Sequence, residues 1–75
     1  MVANEVTLYH TRDCHLCELA QDLLSQMGVT FIPVDIATSE RLVETYGVRI
    51  PVLRRGDREL GWPFDAVAVH AWMAL

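Results

Sequence analysis

The rhythm of the apolar residues changes at Cys14, and this change constrains the fold more than any other feature of the chain. From Glu5 to His10 the residues alternate, with Val6, Leu8 and His10 on one side and Thr7 and Tyr9 on the other. A period of two in residues of this kind predicts a short strand. The polar run Thr11-Arg12-Asp13 ends it. Beyond Cys14 the period lengthens, so that Leu16, Leu19, Ala20, Leu23, Leu24 and Met27 recur at three and four residues, opposite Glu18, Asp22 and Gln26. That spacing predicts an amphipathic helix, which Gly28 closes. Val29 to Val34 is almost wholly apolar and is expected to form a strand buried on both faces. Strand, helix and strand with short connections predict a right-handed βαβ unit with parallel strands.

The second half has a different order. Thr38 or Ser39 can cap a short helix carrying Leu42, Val43 and Tyr46, with Gly47 as its stop. Ile50-Pro51-Val52-Leu53 reads as a brief strand, Gly56-Asp57 as a hairpin turn and Arg58-Glu59-Leu60 as the return strand. Pro63 fits the first turn of a last helix, with Phe64, Val67, Ala68, Ala71, Trp72 and Leu75 as its apolar stripe. The resulting βαβ-αββα order gives an α/β fold, a four-stranded mixed sheet flanked by three helices. A length of 75 residues permits one domain, spanning 1–75. A chain this short buries only about 60% of the surface it exposes when unfolded, so its core is thin.

Charge narrows the partners. Ten acidic residues face six arginines and no lysine, for a net charge of -4. An acidic surface does not attract a phosphate backbone, so nucleic acid is not an expected partner. No apolar run reaches the roughly 18 residues of a membrane span, and Met1-Val2-Ala3-Asn4-Glu5 lacks the charged and apolar regions of a signal peptide. A soluble, cytoplasmic monomer that binds no membrane is expected.

Cys14 and Cys17 are the whole thiol inventory, in the run Cys-His-Leu-Cys. A bridge across two residues closes a very small loop and constrains the unfolded chain little, so stapling explains the pair poorly. Chemistry explains it better. The pair sits where strand gives way to helix, and the unpaired first-turn N–H groups and positive helix end favour a thiolate at Cys14. Cys17, one turn further in, is expected to be more buried and to resolve a mixed disulfide formed on Cys14. His15, when protonated, would favour the thiolate, and Asp13 would oppose it. Half of a zinc site has the same spacing, and His10, Cys14, His15 and Cys17 could supply four ligands. The βαβ setting favours redox chemistry over metal binding, so no metal ligand is assigned.

The runs Leu8-Tyr9-His10-Thr11-Arg12-Asp13-Cys14-His15-Leu16-Cys17, Tyr46-Gly47-Val48-Arg49-Ile50-Pro51-Val52-Leu53 and Leu60-Gly61-Trp62-Pro63-Phe64-Asp65 resemble the glutaredoxin-like branch of the thioredoxin fold. The match is closest to short bacterial glutaredoxin-like proteins and covers nearly the whole chain. The resemblance implies a thiol-disulfide oxidoreductase with Cys14 as nucleophile and Cys17 as resolving thiol. It also implies that the Ile50–Pro51 bond is cis and that Ile50 and Pro51 form a substrate edge beside the dithiol. Asp65 would match the acidic residue that meets the amino group of glutathione. The chain departs from the family in two places. Thr11 stands where glutaredoxins carry a lysine, and Trp62 replaces the second glycine of a Gly-Gly pair. These departures leave Arg12 and Arg49 as the cations for a substrate carboxylate. Glutathione is then a cosubstrate held weakly and not a tightly bound cofactor, and the partner is a disulfide-containing protein or a glutathione mixed disulfide.

Arg54, Arg55 and Arg58, with Asp57 and Glu59 among them, read as a solvated hairpin edge. Trp62, His70 and Trp72 read as packing residues. Two further functions stay open at this point: a module carrying zinc or an iron–sulfur cluster through Cys14, and a non-catalytic module that holds a partner protein along the Ile50-Pro51 edge.

Overall fold

The computed structural model describes residues 5–75. Four strands, β1 (Thr7–His10), β2 (Ile32–Asp35), β3 (Val52–Arg55) and β4 (Arg58–Gly61), alternate with three helices, α1 (His15–Met27), α2 (Glu40–Tyr46) and α3 (Ala66–Met73). A single 3₁₀ turn, Ile36–Thr38, links β2 to α2. The strands lie in the order β2-β1-β3-β4. β1 runs parallel to β2, while β3 is antiparallel to both β1 and β4. This is the α/β architecture expected from the period changes.

Leu8 faces Leu53 in register, and Tyr9 faces Val52. Because side chains alternate across a strand, these two pairs open onto opposite faces of the sheet. On one face Val6, Leu8 and Leu53 pack with Ala20 and Leu24 of α1, Val69 and Trp72 of α3, and Phe64. On the other, Val52 packs with Ile36 and Tyr46, and Tyr9, Leu42 and Ile50 complete the cluster. β4 runs in the same direction as β1, so the ends of both strands, the start of β3 and the N-termini of α1 and α3 all gather at one end of the sheet.

Three expectations are corrected. The second strand is shorter than expected and forms a sheet edge, with Ile32 42% exposed. Its apolar run reflects partial cover by the neighbouring cluster at Val29 and Phe31. Pro33 suits this edge, because the Ile32 N–H bonds to the Val6 carbonyl and the alternating next nitrogen points outward, where proline has no hydrogen to offer. The buried stripe of α1 is Cys17, Ala20 and Leu24, rotated by one residue from the expected stripe, which leaves Leu16 and Leu19 more than 40% exposed. Finally, Pro63 precedes α3 without entering its first turn. Asp65 caps that helix, and Val69 and Trp72 are buried while Val67 and Leu75 are exposed. Among the described residues no helix is long and apolar enough to cross a membrane.

Candidate functional site

The turn between β1 and α1 carries the dithiol. Asp13 has φ 55°, in the left-handed region. That region is tolerated by aspartate better than by most residues, and it swings the chain from the end of β1 into the helix. Cys14 is then the N-cap of α1, with extended backbone, and its Sγ accepts a hydrogen bond from the Cys17 N–H at 3.2 Å. A sulfur in the place of the usual serine or aspartate cap sits against the unpaired first-turn donors. The two cysteines are joined as a disulfide, with Cα atoms 5.2 Å apart. Cys14 is half-buried, whereas Cys17 is 1% exposed and belongs to the core stripe of α1. An approaching sulfur therefore meets Cys14 first.

Around the pair, Arg12, Asp13 and His15 are exposed. Thr11 donates its hydroxyl to Asp35 Oδ1 at 3.0 Å, and the same oxygen caps the 3₁₀ turn by accepting from the Ala37 N–H at 2.9 Å. Asp35 is held below its usual carboxylate range, first by the Ala37 N–H and then by Thr11, with smaller contributions from the charges of His10 and Arg12. Sequence reading missed this link, although the parallel register that sets His10 beside Asp35 brings Thr11 within reach.

The Ile50–Pro51 bond is cis, as is Trp62–Pro63. Pro51 is buried, and its carbonyl accepts from the Trp62 N–H at 3.2 Å, which ties the approach to β3 to the exit from β4. Register continues β1 past the Tyr9–Val52 pair, so Pro51 lies at the end of the sheet from which the chain turns to Cys14. Ile50 is half-buried against the Tyr46 cluster. Its N–H and that of Arg49 both donate to the Tyr46 carbonyl.

Two expected substrate contacts are already engaged within the chain. Asp65 Oδ1 accepts from the Ala68 N–H at 2.8 Å, capping α3. It lines a shallow groove of about 360 Å³ with Pro63, Phe64 and Ala68. Arg49 Nη2 bonds Glu59 Oε1 at 2.7 Å, while Tyr46 donates its hydroxyl to Glu59 Oε2, also at 2.7 Å. The hairpin is thus more than a solvated edge. Glu59 and Arg54, paired across β3 and β4, both reach Tyr46, whose hydroxyl accepts from Arg54 Nη1 at 3.2 Å. The cross-strand pairing could have been read from the two-residue turn, but Tyr46 arrives from another element.

A third arrangement weighed from the sequence is not assembled. Among the described residues no three His, Cys, Asp or Glu side chains cluster so as to hold a metal ion. His10, Cys14, His15 and Cys17 therefore do not form a four-ligand set.

The family profile described as Glutaredoxin-like domain (DUF836) matches residues 5–74. The chain belongs to this glutaredoxin-like family. It is also similar in structure to protein XcR50 from X. campestris. The crystal structure of XcR50 has a TM-score of 0.85 at 45% identity and covers 92% of this chain and 95% of that one. Its solution structure gives 0.84 at 44%, covering 93% and 92%. Protein Ne2328 from Nitrosomonas europaea is more distant, with a TM-score of 0.75 at 27% identity and coverage of 91% and 88%. No curated protein matches the chain. Within this glutaredoxin-like fold, the Cys14–Cys17 pair at disulfide distance is consistent with redox chemistry.

Proposed function

We propose that the protein is a thiol-disulfide oxidoreductase whose natural substrate is a disulfide on another protein, with glutathione as a weaker cosubstrate. The observation that carries this reading is the asymmetry of the dithiol, with an accessible sulfur at a helix N-cap and a buried one a turn behind it. In the reduced protein the Cys14 thiolate attacks one sulfur of the substrate disulfide. That S–S bond breaks and the second substrate sulfur leaves as a thiolate, which takes a proton from water. Cys17, deprotonated, then attacks Cys14, which releases the remaining substrate thiol and closes the Cys14–Cys17 disulfide. Two electrons pass from the dithiol to the substrate. An external dithiol, or two thiols, must return them.

The preference for a protein rests on the surroundings. Leu16 in the first turn of α1, Val67 in the first turn of α3 and Val48 ahead of Pro51 are 44%, 77% and 101% exposed. All three belong to the end of the fold that carries Cys14. Exposed apolar side chains around a reactive sulfur favour a partner with an apolar surface of its own. Glutathione instead brings two carboxylates that call for fixed cations and N–H donors. Here Arg49 and Asp65 are engaged. At the Ile50–Pro51 edge the Ile50 N–H and the Pro51 carbonyl are also bonded within the chain, and the Ile50 carbonyl is the group along which an extended substrate would lie. Arg12 is the exposed cation left for a carboxylate, and Asp13 and, when protonated, His15 are the neighbours that tune Cys14 in opposite directions.

The test is capture. A Cys17→Ser protein should retain substrate proteins through Cys14 as mixed disulfides released by dithiothreitol, and a Cys14→Ser protein should retain none. Equal capture by both variants, or capture by neither alongside no reduction of an insulin disulfide by the native protein, overturns the reading.

A further inference from the structure

Arg49 is the cation closest in sequence to the Ile50–Pro51 step, yet its charge is already matched. Beyond its bond to Glu59, Nη1 lies 3.4 Å from the Thr45 carbonyl oxygen, and the guanidinium carbon stands 5.3 Å from the centre of the Tyr46 ring. Glu59 is gripped from both sides, by Arg49 on one oxygen and Tyr46 on the other. Both helpers keep its carboxyl below the ordinary glutamate range, with Arg49 the larger influence. Glu59 belongs to β4, the outer strand, so a residue from the sheet edge neutralises the loop that leads to Pro51. A carboxylate arriving on a substrate would meet a guanidinium whose charge Glu59 already offsets.

We propose that Glu59 is a specificity-determining residue: by occupying Arg49 it discharges the loop ahead of Pro51 and turns the dithiol toward neutral or cationic disulfides and away from carboxylate-bearing ones. The inference rests on the reading of Cys14 as the exchanging sulfur. It states what that sulfur discriminates. The net charge of -4 acts in the same direction, but only Glu59 acts through a cation within two residues of Pro51. Arg54 does not substitute, because its Nε is bonded to the Gly56 carbonyl at 2.8 Å and its Nη1 to Tyr46.

Glu59→Gln is the discriminating change. Glutamine keeps the shape and can still accept one of the two hydrogen bonds, but it carries no charge, so the guanidinium loses its counter-charge. The probe is alkylation of Cys14 in the reduced protein by iodoacetate and by iodoacetamide, followed by mass spectrometry. In both reactions the thiolate sulfur forms an S–C bond as the C–I bond breaks and iodide leaves, and only the first reagent carries a carboxylate. The unmasked unit charge acts on the reagent at the sulfur through water, so the iodoacetate-to-iodoacetamide rate ratio should rise, by at most about twofold at low salt. Molar salt should erase the gain. The double variant Glu59→Gln, Arg49→Met should return the ratio to the native value. An unchanged ratio in Glu59→Gln, or an equal rise in the double variant, overturns the proposal. Alkylation needs a thiolate and no reductase activity, so its outcome is separate from that of the capture experiment.

Discussion

Tyr46→Phe removes one oxygen from the centre of the Arg49–Glu59–Arg54 cluster and leaves the rest in place. The ring is buried and stacks on Tyr9 with centroids 4.2 Å apart, and phenylalanine can keep that stack. The loss is therefore confined to the hydroxyl, which donates to Glu59 and accepts from Arg54. A hydrogen bond to a charged group is worth about 1.5–3 kcal/mol. Glu59 is 31% exposed and keeps Arg49, so water takes up part of the loss and about 1 kcal/mol remains. For a chain of this size that lowers Tm by about 4–8 °C. The loss also has a pH signature. Glu59 has a depressed folded pKa, held down by Arg49 first and Tyr46 second. Such a group adds stability that is complete above its unfolded pKa and is lost as pH falls through the folded one. The native protein should therefore lead the variant by its full margin near pH 7, and the margin should shrink below about pH 4, near the unfolded glutamate value. Thermal melts of both proteins from pH 7 to pH 3 measure this directly. A margin that stays constant with pH would mean that the hydroxyl does not act through an ionised Glu59. No margin at all would remove the cluster from the stability argument.

Two further perturbations test the elements that frame the site. Gly47→Ala places a Cβ 2.5 Å from the Val43 carbonyl oxygen, an oxygen already fixed by the Gly47 N–H at 2.8 Å. Backbone must move just ahead of Ile50–Pro51, and an overpacking cost of about 1–3 kcal/mol is expected by denaturant melts. An unchanged midpoint would mean that the end of α2 yields freely. Asp65→Ala should cost about 1 kcal/mol through the lost cap of the eight-residue α3, and Asp65→Asn only a few tenths, since asparagine caps equally well. Equal losses by circular dichroism melts would assign Asp65 an effect of charge instead.

The elements that sequence made legible are those whose signal is local. The switch of period at Cys14, the stops at Gly28 and Gly47, and the two-residue turn at Gly56-Asp57 each depend on backbone preferences of a few neighbouring residues. Burial was harder to read, because it depends on where an element lies in the sheet. The run from Val29 to Val34 has the composition of a central strand, yet β2 lies at the edge. The stripe of α1 includes Cys17 in place of Leu16, since a cysteine packs as a small apolar residue and a leucine count alone rotates the helix by one position. Val67 and Leu75 were read as core by spacing, and both point away from it. At the site, the place of Cys14 at a helix start was visible from the pattern. The fate of Arg49 was not. Its carboxylate partner was sought on a substrate, and the one it meets is Glu59, ten residues along and on another element.

Pro33 bears on the behaviour of concentrated solutions. A mixed sheet of four short strands is exposed to stacking rim to rim, the first step toward insoluble fibres. On the β2 rim the missing N–H at Pro33 interrupts any such ladder after one bond, and the β4 rim presents Arg58 and Glu59 side by side. Two copies meeting at either rim find an interrupted or a charged template instead of a continuous one.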